Sequence, residues 1–185
     1  MTGALLVAAT EIELCDHPGL VCGVGPVEAA VATARALALE PPEAVLHVGV
    51  AGGRRVAPGS IVVGAEALYC DLEAQIPVVS RVEPDATLLA LAKRALPEAV
   101  ALPIGTSAVV DGPCGNRPGI LVEGMEGFAV LRACAVAGVP AVEVRAISNQ
   151  IGEGDRAQWQ IRRGLEALAN VIPRLLAALS EPASE

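Results

Sequence analysis

The stretch VEVRAISNQIGEGDR, residues 142–156, changes character halfway along its length. Its first half is largely apolar and predicts a buried strand, although Glu143 and Arg145 interrupt the apolar residues. Its second half begins with Ser148 and Asn149 and continues into a charged segment that contains two glycines. A buried strand that ends in polar residues and a glycine-containing turn is typical of α/β proteins, whose ligands bind beyond the carboxyl ends of the strands.

The rest of the chain alternates between apolar, strand-like runs and helical patterns. Strands are predicted at residues 3–10, 19–25, 44–53, 59–71, 101–110 and 140–148. Helices are predicted at residues 26–40, 84–96, 126–139 and 156–180. This alternation predicts an α/β fold, a single domain with a mixed, largely parallel central β-sheet flanked by helices on both faces. We assign residues 1–180 to that domain and residues 181–185 to a frayed tail.

Composition and charge exclude several classes of protein. The net charge of −8 argues against a nucleic-acid partner, because phosphate contacts need a basic face. No apolar run reaches the roughly 18 residues that span a membrane, and the first residues lack the basic segment of a signal peptide. We therefore expect no membrane partner and a cytoplasmic location. The two histidines and five cysteines show no metal-ligand spacing, so we expect no metal site and five reduced thiols.

Polar residues follow several of the predicted strands. Glu11 and Glu13 come after the first strand, GVAGG at 49–53 closes the third, and Asn149 follows the last. Because the carboxyl ends of parallel strands meet at one edge of a sheet, we expect these groups to meet there, together with Glu126. Glu11 or Glu13 is a candidate general base for activating water. The alternative is that both acids only complement the dipole of a helix.

The segment VEGMEGFA, residues 122–129, places Met125 and Glu126 at the entrance of a helix. A carboxylate there can accept two hydrogen bonds from a vicinal diol such as that of ribose, and a methionine can pack on the sugar. The alternative is that Glu126 complements the helix dipole and Met125 belongs to the core. The turns GVGPVE and GVAGG match neither a Walker loop nor GxGxxG, and they either form tight turns or let backbone amides approach a ligand.

Six segments, taken in order, resemble the nucleoside phosphorylase and nucleosidase superfamily of the purine nucleoside phosphorylase type. They are AATEIEL, GVGPVEAA, HVGVAGG, PGSIVVGAEALYCD, VEGMEGFA and VRAISN. The longer strings VEGMEGFAVLRA and VRAISNQIGEGDRAQW resemble the futalosine hydrolase branch. The resemblance implies cleavage of a small purine nucleoside at its N-glycosidic bond, by a homo-oligomer that is a dimer or larger. It implies no cofactor, because water and two acids suffice.

The resemblance also implies a role for each motif. Glu13 falls where nucleosidases of this superfamily carry the acid that activates the attacking water. Met125 and Glu126 fall on the ribose-binding pair. Asn149 falls on the position that holds the purine at N7 and at its C6 substituent.

Four further positions are assigned to substrate binding less directly. Ala51 and Gly52 belong to the turn beside the base and the sugar. Val109 is expected against the base, in a region, 72–120, that is shorter than is usual in the superfamily. Arg156 is expected to reach a carboxylate of the substrate, and the alternative for Arg156 is an ion pair with Asp155.

Two departures from the superfamily pattern narrow the reaction. Phosphorylases bind phosphate with arginines and a serine or threonine, in a motif resembling RVGS or RVGT. This chain has His47 and Val50 there, so water is the expected nucleophile. Nucleosidases that cleave methylthioadenosine carry aspartate where this chain has Asn149. An amide offers a donor and an acceptor and suits O6 and N7 of hypoxanthine, and the alternative for Asn149 is to cap the following turn.

These departures predict a nucleosidase that hydrolyses the N-glycosidic bond of futalosine and releases hypoxanthine, as in the futalosine route of menaquinone biosynthesis. The alternatives are a methylthioadenosine/S-adenosylhomocysteine-type nucleosidase, a purine nucleoside phosphorylase, and a family member that only binds a nucleoside. The presence of both Glu13 and Glu126 argues against the last of these.

Overall fold

Eight strands form one sheet in the computed structural model, which describes residues 3–110, 112, 114 and 117–180. The strands are β1 (Ala4–Ala8), β2 (Leu20–Val21), β3 (Ala44–Gly53), β4 (Ile61–Tyr69), β5 (Arg81–Val82), β6 (Val100–Thr106), β7 (Val122–Gly124) and β8 (Ala141–Gln150). The helices are α1 (Pro26–Leu39), α2 (Ala86–Ala95), α3 (Gly127–Ala137) and α4 (Ile161–Ser180), with short 3-10 turns at Glu11–Leu14 and Arg156–Gln158. The tail that we predicted at residues 181–185 lies outside the described residues.

The sheet curls and closes on itself around β3. This strand pairs in parallel with β1 and β8 and antiparallel with β7. β8 then pairs with β4, β4 with β6, and β6 with β7, which returns to β3. The predicted mixed, largely parallel α/β sheet is confirmed. Its barrel-like closure was not predicted, because it depends on β7, a strand of three residues inside a segment that we expected to enter a helix.

Helices cover both faces of the sheet, as expected. Helix α1 packs on α3, and α2 packs on α4. Because successive side chains of a strand point to opposite faces, Leu6 and Ala8 of β1 join the core beneath α2 and α4, whereas Val7 joins the core beneath α1 and α3. Each fully buried valine, leucine or isoleucine side chain contributes roughly 1.5–3 kcal/mol. Within the described residues, no helix is both long enough and apolar enough to cross a membrane.

The last helix begins later than the sequence pattern predicts. We expected it at residue 156, but α4 starts at Ile161 after a separate 3-10 turn. The side chain of Asp155 caps this turn by accepting from the N–H of Ala157 at 3.0 Å. The N–H of Gln160 donates to the carbonyl of Ser148 at 2.7 Å. These contacts hold the segment from 155 to 160 against the end of β8 instead of extending the helix.

Two of the cysteines form a disulfide, so the prediction of five reduced thiols is wrong. Cys70, just after β4, is bonded to Cys114, 44 residues later in the sequence. Gly105 of β6 lies against both sulfur atoms. The remaining thiols are free, and burial raises the pKa of Cys22 and of Cys134 to about 12. The cytoplasmic location that we expected stays a prediction.

Candidate active site

A cavity of about 270 Å³ opens where β1, the later part of β3, β7 and β8 come together. Segments that are far apart in the sequence contribute to it, including the 3-10 turn after β1 and the start of α4. Six of the side chains or backbone segments that we assigned to the site line this one cavity: Glu13, Ala51, Gly52, Met125, Glu126 and Asn149.

Glu13 is held at the cavity wall by three hydrogen-bond donors. Thr10 precedes the 3-10 turn and donates its backbone N–H (3.1 Å) and its hydroxyl (2.6 Å) to Oε2 of Glu13. The N–H of Val50 on β3 donates to Oε1 at 2.9 Å. Glu13 is 6% exposed, whereas its neighbour Glu11 is exposed to solvent. Of the two acids, Glu13 is therefore the one placed to meet a water molecule in the cavity.

Glu126 is the residue immediately before α3 and reaches into the same cavity. Its Oε1 accepts from the backbone N–H of Gly25 at 3.0 Å, and its Oε2 lies 3.4 Å from a guanidinium nitrogen of Arg145. Gly25 has a φ of +92°, which favours glycine because a side chain would be strained there. The GVGP turn therefore serves the site through Glu126, by offering a backbone amide to its carboxylate.

Asn149 lies at a register shift between β3 and β8, opposite Gly52. Its Oδ1 accepts from the hydroxyl of Ser148 at 2.9 Å, and its Nδ2 donates to the carbonyl of Gln150 at 3.1 Å. These bonds orient the amide and use one of its two N–H groups, so the second N–H is available to a ligand. A Cβ on Gly52 would come within 3.3 Å of Nδ2, so a glycine there lets the amide lie close to the backbone of β3.

The HVGV segment gives the cavity no positive charge. His47 is fully buried and does not line the cavity. Burial, reinforced by the charge of Arg145, lowers the pKa of His47 well below its ordinary value, so the ring is neutral. Val50 does line the cavity and contributes a backbone N–H to Glu13. Among the described residues that form the wall, none is a lysine or an arginine.

Comparison with known proteins shows the family of this chain. The sequence model of the phosphorylase superfamily matches residues 17–181. The chain belongs to the phosphorylase superfamily. A futalosine hydrolase of Streptomyces coelicolor is 38% identical over 184 residues, covering 86% of this chain and 78% of that protein. A futalosine hydrolase of Thermus thermophilus is 34% identical over 180 residues, covering 85% of this chain and 80% of that protein.

The fold of the phosphorylase superfamily is also found among solved structures. A 5′-methylthioadenosine/S-adenosylhomocysteine nucleosidase from Colwellia psychrerythraea, solved in complex with adenine, superposes with a TM-score of 0.85. It is 22% identical and covers 97% of this chain and 96% of that one. At this identity the likeness shows the fold alone.

Two residues that we assigned to substrate binding from the superfamily pattern do not line the cavity. Val109 is 60% exposed, and the neighbouring Val110 lines the cavity instead. The N–H of Gly112 bonds back to the carbonyl of Val109 at 3.1 Å. Arg156 is exposed, and its guanidinium lies 5.6 Å from the ring centroid of Trp159.

Some residues of the site were not predicted from the sequence. Glu123 on β7 lines the cavity and is buried, but we had expected its segment to lead into a helix. Trp159 also lines the cavity, where its Nε1 donates to the carbonyl of Glu153 at 2.9 Å, although we had no firm role for it. Arg145 contacts Glu126 from behind the wall. A visible signal for Arg145 was its charge, which together with that of Glu143 interrupts a largely apolar strand.

Proposed function

We propose that this chain is a nucleosidase that hydrolyses the N-glycosidic bond of futalosine and releases hypoxanthine. One observation carries the proposal: the amide of Asn149 and the carboxylates of Glu13 and Glu126 line the same cavity. That arrangement supplies an amide to bind the nucleobase, one carboxylate to activate the water and one carboxylate to bind the sugar. The two futalosine hydrolase relatives described above support the choice of substrate. Hydrolysis of futalosine would place the enzyme in the futalosine route to menaquinone.

The ribose is bound by Glu126 and Met125. Both carboxylate oxygens of Glu126 already have a protein partner, Gly25 on one side and Arg145 on the other. Each oxygen keeps a second acceptor site, so the carboxylate can accept both hydroxyls of a vicinal diol without turning. Met125 lines the same part of the wall and packs against the sugar. The substrate therefore meets a carboxylate that is already oriented.

Glu13 activates the water. As the bond between C1′ and N9 stretches, positive charge builds on the sugar, as in other glycoside cleavages. Glu13 takes a proton from water while the water oxygen bonds to C1′, and the electrons of the broken bond leave with the base. General base catalysis of this kind is typically worth about 10²–10⁴ in rate. The three donors to Glu13 fix its position for this step.

Asn149 stabilises the departing base. Its free N–H is placed to donate to N7 or O6 of hypoxanthine, both of which are acceptors. The bond from Ser148 to Oδ1 keeps the amide in this orientation. A carboxylate at this position would oppose O6 with a lone pair, and a mismatch of this kind can cost on the order of 10⁴ in discrimination. The amide therefore favours a 6-oxopurine over adenine.

Water is preferred to phosphate as the nucleophile. A phosphate dianion needs charge-assisted hydrogen bonds, and these come mainly from arginine and lysine. No such side chain is found among the described residues of the cavity wall, where Val50 occupies the place of a hydroxyl. The methylthioadenosine and phosphorylase alternatives remain outcomes of the test.

The exposed apolar surface on α1 and α3 supports self-association as a homo-oligomer. Val27, Val31 and Val136 are exposed there, beside the stacked rings of Tyr69 and Phe128. Contiguous apolar surface of this kind is unusual on a monomer and is typical of a protein interface. Light scattering would give a dimer or larger species, and a monomer at micromolar concentration would contradict this part of the proposal.

The substrate is tested by base release. The pure protein is incubated with futalosine, inosine and methylthioadenosine, with and without phosphate, and free base is measured by chromatography. We expect hypoxanthine from futalosine at a rate that is independent of phosphate. Adenine as the main product would establish the methylthioadenosine alternative, and strict dependence on phosphate would establish a phosphorylase.

A further inference from the structure

A cluster of charged and polar side chains lies behind the cavity wall. Arg145 and Glu143 belong to β8, and His47 is paired with Glu143 in the register of β3 and β8. All three are completely buried, and none of them lines the cavity. Taking charges out of water costs several kcal/mol for each ion, and a buried ion pair often stabilises a fold no more than apolar side chains would. Stability alone is therefore a weak reason for this cluster.

The cluster fixes the guanidinium of Arg145 from several directions. Its Nε donates to Oε1 of Glu143 at 2.7 Å. One terminal nitrogen lies 3.2 Å from Nε2 of His47 and 3.4 Å from Oε2 of Glu126. The other terminal nitrogen lies against Gly49, where any Cβ would overlap it. The guanidinium therefore links the buried cluster to the carboxylate that faces the ligand.

The protonation states suit this linkage. Burial, together with the charge of Arg145, lowers the pKa of His47, so the neutral ring can accept a hydrogen bond from the guanidinium. Burial works against the charge of Arg145, but the nearby carboxylates of Glu143, Glu126 and Glu13 outweigh it and raise the pKa of Arg145. Arg145 is therefore a fixed cation.

Glu143 also touches the helix that carries Glu126. A Cβ on Gly127, the first residue of α3, would overlap both carboxylate oxygens of Glu143. The Glu143 carboxyl group therefore packs directly against the N-terminus of α3. Burial raises the pKa of Glu143, and the charge of Arg145 and the helix dipole oppose this shift by favouring the carboxylate. Its Oε2 has no hydrogen-bond partner among the described residues. One carboxylate thus supports Glu126 twice, through Arg145 and through the start of α3.

We propose that Glu143 and His47 are positioning residues that hold Arg145 against Glu126, and so orient the carboxylate that binds the ribose diol. The inference rests on the proposed function, because it assigns Glu126 to the diol. Neither Glu143 nor His47 touches the substrate. Because Arg145 contacts Glu126 directly, whereas Glu13 acts on Arg145 only through its charge, we expect the larger effect in the recognition of the diol.

The test compares Glu143→Met and Glu143→Gln with wild type, on futalosine and on its 2′,3′-dideoxy analogue. Residues in one hydrogen-bonded network couple, so we expect Glu143→Met to raise the KM for futalosine about tenfold with a smaller change in kcat. The rise in KM should nearly vanish with the dideoxy analogue, which has no diol. Glu143→Gln keeps an oxygen acceptor for Nε of Arg145 and should recover most of the loss. Glu166→Gln, a change on the exposed surface of α4, is the matched control.

The outcomes separate the inference from the proposed function. If Glu143→Met raises the KM equally for both substrates, or if its KM is unchanged in a folded variant, the positioning role is overturned. If wild type does not turn over futalosine, the proposed substrate is wrong, and the same comparison is made by calorimetric binding of inosine and 2′,3′-dideoxyinosine. If Glu143→Met does not fold, His47→Asn replaces it and should show the same diol-dependent loss, whereas no such loss would again contradict the inference.

Discussion

The backbone N–H of Gly25 donates to Oε1 of Glu126 at 3.0 Å across 101 residues of sequence. This bond joins the GVGP turn to the VEGMEG segment at one point of the cavity. Because Arg145 occupies the other oxygen, the carboxylate is oriented before any ligand arrives. Holding a binding group in its productive orientation lowers the entropic cost of forming the complex.

Gly25→Ala should weaken substrate binding because alanine is strained at a φ of +92° and will displace the amide from Glu126. We expect a loss of about 1–3 kcal/mol in stability and a clear rise in KM. Gly138→Ala is the matched control, because Gly138 also has a positive φ and open space around it but lies at the far end of α3. The control should lose stability without a change in KM. Equal KM values for both variants would contradict the role of Gly25.

Glu13→Gln should reduce kcat by about 10²–10⁴, because glutamine cannot accept the proton of the attacking water. Binding of the nucleoside should change little, since Glu13 does not hold the sugar or the base. Glu11→Gln is the control, because Glu11 is adjacent and exposed. Steady-state kinetics and calorimetric binding separate the two effects. Full activity of Glu13→Gln would remove Glu13 from the mechanism.

Protonation of His47 in the unfolded state should make the folded protein less stable as the pH falls below 6.5, the ordinary pKa of histidine. Burial lowers the pKa of His47, so the folded state leaves it neutral while the unfolded state takes up a proton. The free energy of unfolding therefore falls towards lower pH, by at most about 1.4 kcal/mol per pH unit from this group. Urea unfolding at pH 5 and pH 7 should show a smaller pH difference for His47→Asn than for wild type. An equal pH difference in the two proteins would contradict this role of His47.

The Cys70–Cys114 disulfide should be visible as missing thiols. In denaturant without reductant, a thiol reagent should titrate only Cys15, Cys22 and Cys134, and after reduction it should titrate all five cysteines. A disulfide of this kind typically adds about 2–4 kcal/mol to stability, so reduction should also lower the midpoint of unfolding. Five reactive thiols before reduction would show that the bond does not form in solution.

The strands and helices were largely predictable because each long element carries its own pattern. The apolar run of β3 and the amphipathic pattern of α4 can be recognised without knowing their partners. β7 could not be predicted in this way. It has three residues, and only its pairing with Gly52 and Gly53 of β3 and with β6 makes it a strand. The closure of the sheet depends on β7, so it was not predicted either.

The positions of three candidate residues in the cavity wall, Glu13, Glu126 and Asn149, were predictable because each lies near the end of a predicted strand or at the start of a predicted helix. The contact between Arg145 and His47 could not be predicted, because the two residues are 98 positions apart and only the folded sheet brings them together. The prediction was also inaccurate by one residue at Val109. We expected Val109 against the base, but its neighbour Val110 is the valine that lines the cavity.

We propose above that the amide of Asn149 makes this hydrolase selective for a 6-oxopurine nucleoside. The most direct test measures kcat/KM for futalosine and for methylthioadenosine, with wild type and with Asn149→Asp, in the absence of phosphate. We expect wild type to prefer futalosine strongly, and Asn149→Asp to lose that preference by at least about 10² as activity on futalosine falls. A wild type that prefers methylthioadenosine, or a preference that survives Asn149→Asp, would contradict the account.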